Sequence, residues 1–424
     1  MNPIKNSFPG NRPGMTQHFK LFLGLGLPLL SFWVFAAAHA LNASTLRPDA
    51  PITIEDRLRI FSKLWSEVHE HFFDPEFNGV NWDQLKKEYQ PRVETIQTRI
   101  QLQTLLQRML DELHTSHVSV DFKTDLNVGT GFNSRSGPVQ NPVLIGGQWV
   151  VRSVEEGSGA YQVGVRRGWI LTQWNGKPYG GDTDTACDVG GTVRIRFLDL
   201  TGQEKPLNVA CTVYPYVNPS LERSVRIVDS DLLYIRLPGF SHDNGDWIRT
   251  LVDKNIDIRT MVVDLRRNGG GDIDVVQNCL NLFFSEPTIF GEFRHRSGAK
   301  LAVKVPGRGT RAYRGRIFVL VDDASGSGAE VFAAGIQDSS RGRIVGRQSS
   351  GAVLNAKRRN LPGGFYSDIA HSDYRTSRGV RLEGRGVFPD GVVELTLRDF
   401  IENRDADLDF IRELLKGNVG APGR

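Results

Sequence analysis

Cysteine is scarce in this chain: three residues, Cys187, Cys211 and Cys279, in 424. So few exclude a disulfide scaffold, and their spacing fits no metal-ligand pattern, so no metal is expected. Cys187 and Cys211 could pair in an oxidising compartment, which leaves one cysteine over. A surplus of charge is missing too. Against 52 Lys and Arg stand 48 Asp and Glu, a formal net charge of +4 with no long basic run, which argues against nucleic acid as a partner. The chain has no Gly-x-Gly-x-x-Gly and no Walker lysine, so the glycine run RRNGGG (266–271) is not read as a nucleotide site and no cofactor is expected. Internal repeats and low-complexity tracts are absent. Long apolar runs are limited to one, KLFLGLGLPLLSFWVFAAAHA, from Lys20 to Ala40, preceded by Lys5 and Arg12 and closed by Ala38-His39-Ala40. This is the pattern of a secretory signal, cleaved after Ala40, with Met15 as an alternative start; uncleaved, the same run would be a membrane anchor. Either way the body of the protein is expected outside the cytoplasm, periplasmic or secreted.

What is present is globular: 39% hydrophobic and 24% charged residues, with room for several cores. Behind the signal (1–40) the chain divides into three blocks. Residues 49–122 carry apolar residues at helical spacing, as in IEDRLRIFSKLWSEVHEHFF and IQLQTLLQRMLDEL, and predict a small helical bundle. Residues 125–217 carry short β-type runs between glycine-rich turns, with one helical piece at SGAYQVGV. Residues 222–417 alternate strands (LLYIRLPGF, TMVVDLRRNGGG, RIFVLVDD) with helices, which predicts an α/β domain built on a largely parallel sheet.

The stretch VLVDDASGSGAEVFAAGIQD (319–338) reads as a buried strand, a turn of small residues and a helix. Ser327 in that turn is either a helix cap or a nucleophile held where the helix macrodipole and unpaired N–H groups stabilise negative charge. A nucleophilic serine needs a base from elsewhere in the chain.

The segment GQWVVRSVEEGSGAYQVGVRRGWILTQWNGKP (147–178) resembles a PDZ domain, a module that captures extended peptides at a sheet edge. Taken with the helical leader and the ordered motifs VVDLRRNGGG and SGSGAE, the chain from Ile52 to Lys416 resembles the S41 peptidases. That family includes the C-terminal processing (tail-specific) proteases and the tricorn core protease. The resemblance implies a multidomain α+β protein: helical bundle, PDZ-like β-rich domain and a catalytic α/β domain of the ClpP/crotonase-like type.

It also implies roles. SGSGAE matches the family pattern Ser-Ala-Ser-Ala-Ser-Glu, which makes Ser327 the nucleophile and leaves Ser325 outside the role. The processing-type members carry a lysine base in Phe-Gly-Lys-Gly; here Ala352 stands at that position, and Lys357 lies at an odd offset on the opposite face of an extended strand. The tricorn-like branch uses histidine instead. MLDELHTSHVSV resembles its Thr-Ser-His signature, giving His117 as general base with Ser116 beside it and His114 as a decoy. EGRGVFPD (383–390) matches Glu-x-x-Gly-Val-x-Pro-Asp, giving Glu383 as the acid that orients His117, with Asp390 a turn residue. Gly270, matching the first glycine of Asn-Pro-Gly-Gly, and Gly328 are the expected oxyanion donors. The implied protein is an exported serine endopeptidase whose PDZ-like domain presents protein or peptide substrates, with no nucleic acid or membrane partner beyond the signal. A catalytically dead peptide- or hydrophobic-ligand-binding relative and a small ester or amide hydrolase are the rival readings.

Overall fold

The computed structural model describes residues 50–123, 134–136, 142–180, 183, 191–215 and 222–417. The signal segment, Met15 and Cys187 lie outside them, and Cys279 is a buried free thiol. No helix among the described residues is long and apolar enough to cross a membrane. The architecture is a mixed α/β fold with a helical N-terminal region and several sheets.

Three helices open it: α1 (Ile54–His71), α2 (Trp82–Thr95) and α3 (Arg99–Asp111). Each starts on a side-chain cap: Thr53 accepts from the Asp56 N–H, Asn81 from Gln84 and Thr98 from Gln101. On α1, Ile60, Phe61, Leu64 and Val68 recur at helical spacing and are all buried. The helices do not close a core on themselves. The cluster they bury includes Phe122 of β1 (Ser119–Phe122) together with Phe365, Ile369 and Ala370 from far downstream. The apolar face of the leader is thus completed only by the last third of the chain.

The β-rich region runs through β2 (Ser134–Ser136), β3 (Val143–Ile145), β4 (Gln148–Val150), the one-turn helix α4 (Gly159–Gln162), β5 (Ile170–Trp174), β6 (Lys177–Pro178), β7 (Thr192–Leu198), β8 (Glu204–Ala210) and β9 (Val213–Pro215). Strands β3, β4, β5, β7 and β8 form one antiparallel sheet, with β6 paired to β5, around Val151, Val165, Leu171, Trp174, Ile195 and Phe197. Helix α4 approaches β8 so closely that a Cβ on Gly159 would lie 1.9 Å from the Ala210 carbonyl oxygen.

The remaining elements are β10 (Ser224–Val228), β11 (Leu232–Arg236), α5 (His242–Lys254), β12 (Thr260–Asp264), α6 (Ile273–Asn281), β13 (Thr288–His295), β14 (Lys300–Val305), β15 (Arg316–Val321), α7 (Gly328–Asp338), β16 (Arg343–Gly346), β17 (Asn355–Asn360), β18 (Phe365–Thr376), β19 (Gly391–Val392), α8 (Leu397–Ile401) and α9 (Ala406–Lys416). Six of the strands make the central sheet, ordered β10-β11-β12-β15-β16-β19 and parallel except for β10. Its inner strands β11, β12 and β15 are buried at nearly every position because both of their faces are covered. Met261, Val263, Val319 and Val321 pack toward α5, α6 and α7, while Val262, Phe318, Leu320 and Val345 pack toward α9. At the root of the glycine run, Arg266 ties Asp264 of β12 to Asp405 and Asp407 beside and within α9, and Arg347 joins Asp407.

A second sheet, β1-β18-β13-β14 with β17 on β18, is antiparallel. The periodicity reading misses it because β1 pairs with β18, Ser119 facing Asp368, a partnership no local window contains. Two consequences position the site. Adjacent parallel strands β12 and β15 both deliver a loop at their carboxyl ends, RRNGGG and DDASGS, so the two loops meet in the crevice where such sheets hold ligands. The β1–β18 pairing brings the segment just before β1 to the same crevice.

Candidate active site

Ser327 sits between β15 and α7 with φ 53° and ψ −119°, a positive-φ conformation outside the left-handed helical well that costs a non-glycine residue about 1–3 kcal/mol. Its N–H donates to the Ala352 carbonyl at 2.7 Å and to the Glu330 carboxylate at 3.1 Å. Glu330 is buried and accepts four further hydrogen bonds, from the Ser349 hydroxyl (2.6 Å), the Ser350 hydroxyl (3.3 Å) and the N–H groups of Gly351 and Ala352 (both 2.8 Å). Burial pushes its pKa up, against the pull of these donors. Glu330 therefore straps the serine turn to residues 349–352, a role that sequence reading missed although the residue stood in the motif. The available signal was a carboxylate three residues into a helix. Glu330→Gln must turn an amide N–H₂ toward some of those donors, so a loss of about 2–4 kcal/mol in unfolding free energy is expected. A chemical denaturation midpoint equal to that of the parent protein would remove the strap from the account.

Ser325 is fully buried, its hydroxyl donating to the Leu265 carbonyl at 2.8 Å and accepting from the Asp322 N–H at 2.9 Å. It shapes the turn and does not line the cavity.

The glycine run departs from expectation. Asn268, buried, donates to the Leu237 carbonyl and accepts the Gly270 N–H, both at 2.8 Å. The Gly270 amide is thereby spent and is not available as an oxyanion donor. Glycine is required there for a steric reason: at φ +103°, a Cβ would lie 2.6 Å from both Ser327 Cβ and the Gly328 nitrogen. Gly271 lines the cavity instead, and its N–H has no acceptor among the described residues. The Gly328 N–H, at the first position of α7, likewise has none among the described residues, and Gly328 lines the same cavity.

His117 follows α3 in a left-handed turn, φ 57°. Its Nδ1 is 2.8 Å from the Ser116 hydroxyl, which is 2.9 Å from Glu383 Oε2. An ionised carboxylate only accepts, so the Ser116 hydroxyl donates to Glu383 and turns its lone pairs to His117. Nδ1 therefore carries the proton and Nε2 keeps its lone pair, a tautomer assigned from the network. Glu383 also accepts the N–H groups of Ser116 (2.8 Å) and Val353 (3.0 Å) and the Thr115 hydroxyl (3.2 Å). Glu383 reaches His117 through the Ser116 hydroxyl, which stands between them. Burial lowers the His117 pKa below the ordinary histidine value, and the Glu383 and Asp368 carboxylates pull it back up.

Ser327, His117, Gly271 and Gly328 line one cavity of about 620 Å³, whose apolar wall is Ile273, Phe293, Val331, Val353 and Leu354. The remaining candidates stand elsewhere. His114 and Lys357 are exposed and outside the cavity. Asp390 accepts from the Gln337 side chain and the Ile344 N–H, holding the end of α7 to β16.

Residues 231–393 match the family model described as Peptidase family S41, and residues 55–111 match that of the Tricorn protease C1 domain. The stretch from residue 231 to residue 393 is thus that of a peptidase family S41 domain. Among curated relatives, a tricorn protease homologue of Streptomyces coelicolor is 24% identical over 392 residues, 84% of this chain and 32% of that one. The carboxyl-terminal-processing protease of Synechocystis is 24% identical over 418 residues, 92% of this chain and 94% of that one. The chain thus spans about a third of the first relative and nearly all of the second. Among solved structures, the photosystem II D1 C-terminal processing protease superposes with a TM-score of 0.55 at 21% identity, covering 88% of this chain and 99% of that one.

Proposed function

We propose that this chain is an exported serine endopeptidase that cleaves protein or peptide substrates through Ser327. The observation that carries the reading is the chain of hydrogen bonds Glu383–Ser116–His117 opening on the cavity that also holds Ser327. Ser327 Oγ attacks the scissile carbonyl and gives its proton to His117 Nε2. The oxyanion accepts hydrogen bonds from the N–H groups of Gly271 and Gly328. His117 then protonates the leaving amine, and water hydrolyses the acyl-enzyme by the same base. Ser116 and Glu383 hold the tautomer and stabilise the imidazolium. Ala352, at the position of the processing-type lysine, offers no base: its carbonyl accepts the Ser327 N–H and its own N–H donates to Glu330.

The names of the relatives, tail-specific and carboxyl-terminal-processing proteases, fit substrates that are protein tails or unfolded segments. In this reading the β-rich region 125–217 is the PDZ-like element that presents them. It is anchored close to the nucleophile loop: Arg152 pairs with Asp322 at 3.6 Å and Asp323 at 3.3 Å, and Arg167 lies over the Phe400 ring at 4.0 Å. Export rests on the segment that ends at Ala40.

A fluorophosphonate probe tests the central claim, since only an activated serine reacts; absence of labelling would leave a ligand-binding relative. A casein substrate compared with small esters separates a peptidase from a small-ester hydrolase. The pH profile tests the base. His117 must be neutral to accept a proton, so activity falls as pH drops through its pKa in the folded enzyme. Because burial lowers that pKa, the acid limb of kcat/KM is expected below the ordinary histidine value of about 6.5. A limb that rises only above about pH 9 would point to a lysine base instead.

A further inference from the structure

Two loops supply the proposed site, the serine turn after β15 and the glycine run after β12, and one carboxylate oxygen joins them. Asp322, the residue that follows β15, is buried. Its Oδ1 accepts the Arg267 N–H of the glycine run at 2.8 Å and, from its own loop, the Ala324 N–H and the Ser325 hydroxyl, both at 3.2 Å. Its Oδ2 faces Arg152 at 3.6 Å. The tie to Arg267 falls where the backbone is strained: φ there is 62°, a value that a non-glycine residue holds only when its surroundings fix it. Past Arg267 the chain turns through Gly270 into Gly271, which lines the cavity. Other contacts join the two loops on either side of this residue, the Ser325 hydroxyl to the Leu265 carbonyl and the Gly326 N–H to the Asn268 carbonyl. At Arg267 the link is Asp322.

We infer that Asp322 is a positioning residue for the oxyanion donors, fixing the Gly271 N–H of one loop against Ser327 and the Gly328 N–H of the other. The inference rests on the peptidase reading and assigns a residue to it. An oxyanion donor works only when it points at the place where the charge forms, and a displacement of about 1 Å can cost on the order of 10²-fold in rate. The nucleophile and the two donors come from different strands, so their geometry is only as fixed as the junction between the loops.

The alternative is that Asp322 only closes its own turn, through Ala324 two residues on. Two substitutions separate the roles. Asp322→Ser keeps a local acceptor for the Ala324 N–H, but its hydroxyl is one bond shorter and drops the tie to Arg267. Asp322→Asn keeps an oxygen in the place of Oδ1 and serves both loops. The probes are a peptide aldehyde and the matching peptide alcohol, with affinities read by inhibition. With the aldehyde, Ser327 Oγ adds to the carbonyl carbon, the π pair becomes the oxyanion and the hydroxyl proton passes to His117; the alcohol binds without this step.

The parent protein should bind the aldehyde tighter than the alcohol by about 10²-fold or more, as expected of a transition-state analogue. In Asp322→Ser that ratio should fall to within about tenfold while the alcohol binds as before, and kcat should drop by about 10²-fold with KM little changed. Asp322→Asn should keep the ratio within about threefold of the parent, since the acceptor is retained. Val252→Ala, a cavity made in the buried face of α5 away from both loops, should lose stability and keep the ratio. A Ser variant with the parent's ratio, an Asn variant as impaired as the Ser variant, or a Ser variant that does not fold while the Asn variant does overturns the inference. A parent protein that does not prefer the aldehyde sinks the peptidase reading itself, so the two failures are told apart.

Discussion

Ser327→Ala is expected to abolish fluorophosphonate labelling and to lower kcat on a peptide substrate by about 10⁴-fold or more, the order lost when a nucleophile leaves a set of residues that act as a unit. Folding should survive, within about 0.5 kcal/mol: the side chain is small, and the turn is held by backbone bonds to Ala352 and Glu330. The matched control is Ser325→Ala. That hydroxyl is buried and satisfied by Leu265 and Asp322, so its removal should cost about 1–2 kcal/mol of stability while labelling persists. The pair therefore separates a chemical serine from a structural one two residues away. Labelling that survives in the first variant and vanishes in the second would reverse the assignment.

Glu383→Gln is expected to lower kcat by about 10²-fold with little change in KM. The carboxylate accepts four donors, from Thr115, Ser116 and Val353, and an amide must face at least one of them with N–H. The charge that stabilises imidazolium is lost as well. Since Glu383 raises the His117 pKa, the acid limb of the pH profile should also move further down, which a purely structural role would not produce. Ser116→Ala, which cuts the bridge and leaves both ends in place, should reproduce most of the loss. With His117 already replaced by Ala, adding Glu383→Gln should cost almost nothing more. A double-mutant cycle on kcat/KM with one peptide reads this, and fully additive losses would detach Glu383 from the base.

The parts of the fold legible in sequence are those written locally. The helical leader follows from the spacing of Ile60, Leu64 and Val68, and the central sheet from apolar runs such as Met261–Val263 and Ile317–Val321. The antiparallel sheet was not legible, because the partner of β1 lies beyond any local pattern. The site divides in the same way. Ser327, Ser116, His117 and Glu383 stand in short motifs, and the structure brings all four to one place. Which glycine amide faces the cavity is decided by the Asn268 side chain, whose oxygen takes the Gly270 N–H; a run of three glycines cannot express that choice. The strap made by Glu330 was hidden because its partners, 19 to 22 residues on, come within reach only once β16 has packed beside β15. The Ser116 bridge was in view as a neighbour of His117, but adjacency in sequence does not say which way a hydroxyl points.

The proposed relay also sets a timetable. Ser116 and His117 leave the ribosome early, while the carboxylate that completes their network follows 267 residues after Ser116, behind the nucleophile itself. The helices that carry the histidine cannot bury their apolar face until Phe365 and Ile369 arrive. An unfolded chain therefore carries the residues of the proposed relay without the geometry that would let them act together. In the proposed reading the relay is therefore assembled late in folding, when β1 pairs with β18 and Ser116 comes within reach of Glu383.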